Sequence, residues 1–481
     1  MRLNDLLQGI AECDDTTEIH AIASDSREVR AGTLWLATRG ISHHALDFYR
    51  DDMRAAAIVY EPPYANAPLR AIACEALSEK MGEIAARFYR HPSRELRVIG
   101  VTGTDGKSSL VHFLAQALDA AMLGTIGYGR LARLQEASHT TPDVLRVQRY
   151  LREFADQGIG TVAMEVSSHA LAQGRVDAVD FDVAVFSNLS RDHLDYHKDE
   201  EDYFLAKARL FARPLRVAVI NIDDAHGKRL LDENRIHEGA HIIAVSSSGA
   251  RHGKAHAHLL AQDWQLGEGG IAMRLVYEQS GKREQAQVQS ALLARFNVDN
   301  LLNVAACLLS QNIPFAAIPA KLAALAGVPG RVERLALPNG AAAIIDYAHT
   351  PKALESVLSG IRPHVPGRLW VVCGCGGDRD RGKRPLMAQA AVAFADEAVF
   401  TDDNPRTEAP LSIIHDMLAG LQNPDAAQVV QPREAAIRHV LRELQAGDAV
   451  VIAGKGHENY QIIGTVKHHY ADQEVVRAWL G

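Results

Sequence analysis

The stretch "GVTGTDGKSS" at 100–109 carries the first pattern in the chain that could do chemistry. Val101 stands where the strict GxxxxGK[ST] loop needs a glycine, so the spacing present is GxxGxxGKS, with Gly100, Gly103 and Gly106. The physics of such a loop survives. Glycines let the backbone curl into a nest of N–H donors around phosphate oxygens, Lys107 adds a point charge, and Ser108 offers a hydroxyl to Mg²⁺ at a helix start. Gly103, Thr104, Asp105, Gly106, Lys107, Ser108 and Ser109 are therefore read as an ATP site. Glu165, in "AMEVSSHAL", can reach a Mg²⁺ shared with Ser108, because this ion needs only one or two carboxylates when phosphates supply other oxygens. On its own, such a Glu is more often a solvated surface residue. "SNLSRDHLDYHKDEEDYFLAKARLF" (187–211) gathers Asp192, His193, Asp195, His197 and Lys207. His193 and His197 have metalloprotease-like spacing, but Leu194 occupies the place of the glutamate base in HExxH, so that chemistry fails. In isolation the stretch reads equally as a solvated acidic linker. "DDNPRTE" (402–408) sets Arg406 behind Asn-Pro at the end of an apolar run, a fixed cation suited to a ligand, although "DNPR" alone is a turn.

The elements that must position these residues are short apolar runs alternating with amphipathic stretches, the pattern of βα units and a largely parallel sheet. The fold class expected is α/β throughout. Strands with polar or glycine-rich exits are expected at "LRVIGVTG", "TVAMEVSSH", "DVAVFSNLS", "VAVINIDD", "AAIIDYAHTP", "LWVVCGCGG", "EAVFTDD" and "AVVIAGKGHE". In open α/β sheets ligands bind beyond the carboxyl ends of strands, which is where the chemistry-bearing residues fall. A helix is expected after the glycine loop, with Leu110, Phe113, Leu114, Ala117 and Leu118 on one face. "FYRHPSREL" (88–96) and "AGVPGRVERL" (326–335) combine proline with charge and mark boundaries, giving domains 1–95, 96–330 and 331–481.

Composition narrows the partners. A chain of 481 residues suits about three domains at roughly 150 residues each, and 47% hydrophobic content supplies each with a core. A formal net charge of -8 without basic clusters argues against nucleic acid and against a polybasic membrane arm. Five cysteines without CxxC pairs indicate neither a disulfide framework nor a zinc ribbon. The N-terminus lacks a signal-peptide pattern and no apolar run is long enough to span a bilayer, so a cytoplasmic protein without membrane insertion is expected. "GCGG" after a strand hints at a dinucleotide fold, but GxGxxG would need glycine where Arg379 stands.

Taken together, these stretches resemble the Mur ligase family, ATP-dependent amide-forming enzymes of peptidoglycan assembly. The resemblance runs through "GTDGKSS", "TTPD" (140–143), "MEVSSHAL", "SNLSRDHLDYH", "FNVDNLLN" (296–303), "GVPGRVE", "IIDYAHTP", "GCGGDRDRGKRP" (374–385), "DNPR" and "GKGHE" (454–458). It implies three domains: a small N-terminal α/β uridine-nucleotide domain, a central P-loop-type ATPase domain with a mostly parallel sheet, and a Rossmann-like C-terminal domain. It further implies that ATP phosphorylates a carboxylate and that an amine attacks the acyl phosphate, releasing ADP and phosphate. The pattern is nearest to members that join meso-diaminopimelate to UDP-N-acetylmuramoyl-L-alanyl-D-glutamate, acting as a monomer. The alternatives are L-lysine-adding members, folate polyglutamate ligases, or a non-catalytic ATP-binding switch.

By that resemblance, Lys107, Glu165, His193 and Lys207 are catalytic, with Ser108, Glu165, His193 and Lys207, the last as a carbamate, around Mg²⁺. Asn300, Arg331, Asp346 and His349 match further ATP contacts. Ser26, Ile41, Ser42 and His43 match uridine-site positions, while Thr140, Thr141, Ser167, Gln173 and Arg175 match those holding the muramoyl peptide. Arg379, Asp403, Asn404, Pro405, Arg406, Gly454 and Glu458 match the diaminopimelate site. Arg406 would grip the distal carboxylate that lysine lacks, a bidentate geometry no Lys can supply. The sequence departs from the family pattern at Asp105, His139, Ala294 and "SHHALDF", where Asn, Asn, Gly and a "DGHDF" form are usual.

Overall fold

The computed structural model describes residues 1–40, 42–137 and 139–480. They form two compact units, Met1–Val245 with Arg251–Ala257, and Ser246–Ala250 with His258–Gly481. Each strand expected from the sequence is a strand, and the fold is α/β with mostly parallel sheets.

The first unit opens with a four-stranded parallel sheet, β1 (Ala21–Ala23), β2 (Thr33–Ala37), β3 (Ala57–Tyr60) and β4 (Ile72–Ala73), in sequence order. Alternation along β2 sends Leu34 and Leu36 into one cluster with Leu3, Leu6 and Ile84, and Trp35 and Ala37 into another with Ala23 and Leu46. The unit continues with β5 (Arg97–Thr102), β6 (Ala121–Gly124), β7 (Gly127–Gly129), β8 (Thr161–Glu165), β9 (Val183–Phe186), β10 (Val217–Asn221) and β11 (His241–Ser246). Their order is β11-β10-β9-β5-β8-β6-β7, parallel except for β7, which returns antiparallel to β6. Val98, Ile99 and Val101 are fully buried, as strands covered on both faces require. Register then does the positioning. Val101 pairs with Glu165 and Thr102 with Phe186, so the glycine loop, Glu165 and the loop after β9 leave one edge side by side.

The second unit contains the antiparallel strands β13 (Gly270–Gln279) and β14 (Lys282–Ser290), preceded by β12 (Ala257–Gly267), and a buried helix, Phe296–Ser310. Its main sheet comprises β15 (Glu333–Ala336), β16 (Ala342–Asp346), β17 (Leu369–Cys373), β18 (Glu397–Phe400), β19 (Gln428–Val429) and β20 (Ala449–Ala453) in the order β15-β16-β20-β17-β18-β19, parallel except for β15. Asp346 pairs with Ala453 and Cys373 with Phe400, which brings four motif-bearing exits to one edge. A hairpin, β21 (Tyr460–Ile463) and β22 (Val466–His469), follows. Behind that edge the buried Arg433 donates to both oxygens of Asp472 and to Ala453 O at 2.9 Å, tying the last helix, Asp472–Leu480, to the β20 exit.

Candidate functional site

The glycine loop is shaped by contacts with the loop after β9. Gly103 lies at φ +155° and an added Cβ would collide with Ser187 Oγ, so only glycine fits. Thr104 N donates to Asn188 O and Asp105 N to Asn188 Oδ1, each at 2.9 Å. The Asp105 carboxylate is exposed on the Ser190 side, 3.4 Å from that hydroxyl. Gly106, as N-cap of the helix Lys107–Leu118, contributes no side-chain oxygen, which leaves the helix start uncapped by protein side chain and suited to an anion.

Two lysines converge on one carbonyl. Lys107 Nζ donates to Gly103 O at 2.9 Å and Thr104 O at 2.8 Å, and Lys207 Nζ donates to Gly103 O at 2.7 Å. Lys207 is 1% exposed; burial first, and the Lys107 charge second, push its pKa well below the ordinary lysine range. Glu165, also 1% exposed, accepts from Thr125 N at 2.7 Å and from Ser108 Oγ at 3.0 Å. Gly124 makes room for it: a Cβ there would run into Oε1, with Cδ and Cγ both at 2.9 Å. His193 sits at φ +53°, half-exposed, with Nε2 3.6 Å from Asp192 Oδ2, and burial lowers its pKa. His197 is buried between Ser168 Oγ at 3.0 Å and Asp202 Oδ2 at 3.2 Å, so it braces the loop. Among the described residues no group of three or more His, Cys, Asp or Glu could hold a metal ion. A cation at Ser108 and Glu165 would need oxygens from a ligand, as Mg²⁺ on a nucleotide has.

The residues matched to the muramoyl peptide share one network beside Glu165. Thr141 Oγ1 donates to Glu165 O at 2.8 Å and lies 3.3 Å from Ser167 Oγ; Arg175 Nη1 donates to Thr141 O at 2.8 Å and its Nε to Gln173 Oε1 at 2.9 Å. Gln173 Nε2 donates to Tyr196 OH at 3.2 Å, and Thr140 meets Thr125 Oγ1 at 3.0 Å. Ser26 begins a short turn after β1, and Ser42 and His43 are exposed after β2; Ile41 lies outside the described residues. Glu28, in the same turn as Ser26, pairs with Arg146 at 2.8 Å in the helix that follows "TTPD".

In the second unit, Asp346 accepts from Val332 N and Ala348 N, each at 2.8 Å, while burial raises its pKa against the opposing pull of Arg331. The Arg331 guanidinium stands 4.7 Å from the centre of the Tyr347 ring. His349 is exposed, and its carbonyl accepts from Lys383 Nζ at 2.9 Å. Asn300 donates to Asn297 Oδ1 within its own helix, at 2.7 Å.

Arg406 is held at φ +52° by backbone bonds to Ile462 O (3.1 Å) and from Gly464 N (2.7 Å), with Nη1 donating to Gly377 O at 2.8 Å. A Cβ on Gly376 would come within 2.9 Å of that same Nη1, so a larger residue there would shift the end of the Arg406 side chain. Arg379 is exposed, donating to Asp378 O at 3.1 Å. Pro405 is buried, and Asn404 O beside it accepts from Gly377 N at 2.9 Å, joining the two loops. The buried Arg384 adds to this by pairing with Glu408 and Asp416, each at 2.8 Å. Asp403 and Glu458 each stand 3.6 Å from Lys455 Nζ, and a Cβ on Gly454 would come within 2.8 Å of Asp403 Oδ2. The sequence assigns no role to Thr125, nor to Arg384 and Lys455, although these two lie within "GCGGDRDRGKRP" and "GKGHE".

A family model described as "Mur ligase middle domain" matches residues 101–308, and one described as "Mur ligase, glutamate ligase domain" matches 330–456. A Xylella fastidiosa protein named UDP-N-acetylmuramoyl-L-alanyl-D-glutamate--2,6-diaminopimelate ligase is 45% identical over 487 residues, covering 99% of this chain and 96% of its own. A Coxiella burnetii protein of the same name is 43% identical over 457 residues, 92% of each. A solved structure bearing that name superimposes with a TM-score of 0.71 at 35% identity, over 100% of this chain and 98% of its own. A Mycobacterium tuberculosis folylpolyglutamate synthase complexed with ADP shares the fold, with a TM-score of 0.59 at 18% identity over 78% of this chain and 92% of its own. With both family models matching in order, and relatives this similar over almost the entire length, the chain belongs to the Mur ligase family.

Proposed function

We propose that the protein is an ATP-dependent ligase that adds meso-diaminopimelate to UDP-N-acetylmuramoyl-L-alanyl-D-glutamate. The observation that carries the amino-acid assignment is Arg406, a cation locked by its own backbone bonds in a loop that also bears Asp403, with Asp403 and Glu458 each 3.6 Å from Lys455 Nζ. A carboxylate next to an ammonium on the substrate's far end answers both signs of charge.

The reaction is an in-line phosphoryl transfer followed by acyl transfer, and it asks the protein for positioning and charge neutralisation rather than for a nucleophile. The uncapped helix start and Lys107 hold the phosphates. Ser108 and Glu165 would hold Mg²⁺, which when bound would neutralise phosphate charge. Arg175, Thr141 and Ser167, linked through the Glu165 backbone, position the acceptor carboxylate. The substrate amine loses a proton and attacks the acyl phosphate; the C–N bond forms as the C–O bond to phosphate breaks. Lys207, buried without a carboxylate partner among the described residues, is suited to react as a neutral amine with CO₂, releasing a proton and becoming a carbamate. In this reading residues 1–95 bind the nucleotide-sugar, 96–330 ATP and 331–481 the amino acid, in a cytoplasmic monomer. No helix among the described residues is long and apolar enough to cross a membrane.

The test is phosphate release with UDP-muramoyl-dipeptide and either meso-diaminopimelate, L-lysine or no amino acid. Arg406→Ala should raise the KM for diaminopimelate by about 100-fold, from two charge-assisted hydrogen bonds at roughly 1.5 kcal/mol each, with ATP binding intact. A wild-type preference for lysine would refute the assignment.

A further inference from the structure

The candidate amino-acid pocket contains a charge within "GKGHE" to which the sequence assigns no role. Lys455 leaves β20 fully buried, at 0% exposure. Its Nζ donates to Tyr460 O at 2.7 Å and Asn404 Oδ1 at 3.1 Å, and lies 3.6 Å from both Asp403 Oδ1 and Glu458 Oε2. The two short contacts are hydrogen bonds; at 3.6 Å the carboxylates balance the ammonium by charge alone. Their acceptor capacity is thus not spent on Lys455. Lys455 offsets one of the two negative charges of Asp403 and Glu458, and Arg406, in the same loop as Asp403, supplies a further positive charge. A pocket so balanced complements a group carrying one ammonium and one carboxylate. Without the lysine, the same walls would favour a bare cation.

Lys455 also sets the geometry. Asn404 Oδ1 accepts from Lys455 and from Ile462 N at 2.9 Å, which turns Asn404 Nδ2 toward Glu458 Oε2 at 3.2 Å. Ile462 O in turn accepts from Arg406 N at 3.1 Å. The lysine therefore sits where the loop bearing Arg406, the β20 exit and β21 meet.

We propose that Lys455 is a positioning residue that sets the charge balance of this pocket and so selects an amino acid with a distal zwitterion over one with a distal ammonium. The proposal rests on the reading of this unit as the diaminopimelate site. Lys455→Gln keeps a hydrogen-bond donor and removes the charge, while Lys455→Arg keeps the charge. Both are compared with wild type by phosphate release, giving kcat and KM for meso-diaminopimelate and L-lysine at saturating ATP and UDP-muramoyl-dipeptide, with thermal unfolding as the control for folding. In Lys455→Gln, kcat/KM for diaminopimelate should fall about 100-fold, the scale of an unpaired buried charge, and the lysine-to-diaminopimelate ratio should rise at least about tenfold. Lys455→Arg should keep the wild-type ratio. Equal losses on both amino acids in Lys455→Gln, or an unchanged ratio, would overturn the proposal while leaving the diaminopimelate assignment standing. A wild-type preference for lysine would overturn both.

Discussion

Gly124 touches no ligand in the proposed mechanism, yet its replacement tests how Glu165 is used. Its backbone has an ordinary φ, so alanine introduces no backbone strain; the cost comes from the added methyl alone. That Cβ would overlap Glu165 Oε1 and lie 2.9 Å from both Cδ and Cγ, whereas ordinary contact begins at 3.4 Å. The whole side chain must rotate, not merely its tip. Glu165 is 1% exposed and accepts from Thr125 N at 2.7 Å and Ser108 Oγ at 3.0 Å, so the rotation breaks at least one charge-assisted bond worth about 1.5–3 kcal/mol. A displacement on the order of 1 Å in a positioning group costs about 100-fold in rate. Gly124→Ala should therefore lower kcat for phosphate release by about 100-fold and raise the magnesium concentration for half-maximal rate, with the KM for the amino acid unchanged. A folded Gly124→Ala enzyme with wild-type kcat and magnesium dependence would refute the placement of Glu165 at the metal.

Lys207→Ala should reduce turnover to near background and added bicarbonate should not restore it; a near-normal rate would exclude a carbamate with a role in the reaction. Glu408 gives a pH prediction. The Arg384 guanidinium, then the Asp378 N–H, hold its carboxyl down at about 2 against an ordinary 4.5. A depressed carboxylate stabilises the fold fully above its unfolded pKa and loses that contribution as pH falls, here from about 4.5 toward about 2. Urea unfolding as a function of pH should fall less steeply across that window in Glu408→Gln than in wild type, and parallel curves would contradict the pairing.

Much of the central and C-terminal architecture is legible because its signals are local. A buried parallel strand is a short run of Val, Ile and Ala, and the turn leaving it announces its chemistry within a few residues, as "GTDGKSS" does after β5 and "DNPR" after β18. The β14 strand is harder to see, because "KREQAQVQS" is polar and mostly exposed and lacks an apolar stripe. Asn404 shows the same limit at a side chain. Its place in "DNPR" suggests a ligand contact, but its amide is engaged by Lys455, Ile462 N and Glu458, partners more than fifty residues away.

By itself the sequence determined the α/β class, the expected strand exits and the residue types at each of them, since these depend on neighbours along the chain. Tertiary structure decided which exits lie side by side, because parallel strands are ordered by packing among distant segments: β5 lies between β8 and β9, and β20 between β16 and β17. Only that order brings Thr125 under Glu165 and carries the Lys207 amine across 104 residues of chain to the Gly103 carbonyl. There burial withdraws water from the amine, a property no residue possesses until the fold surrounds it.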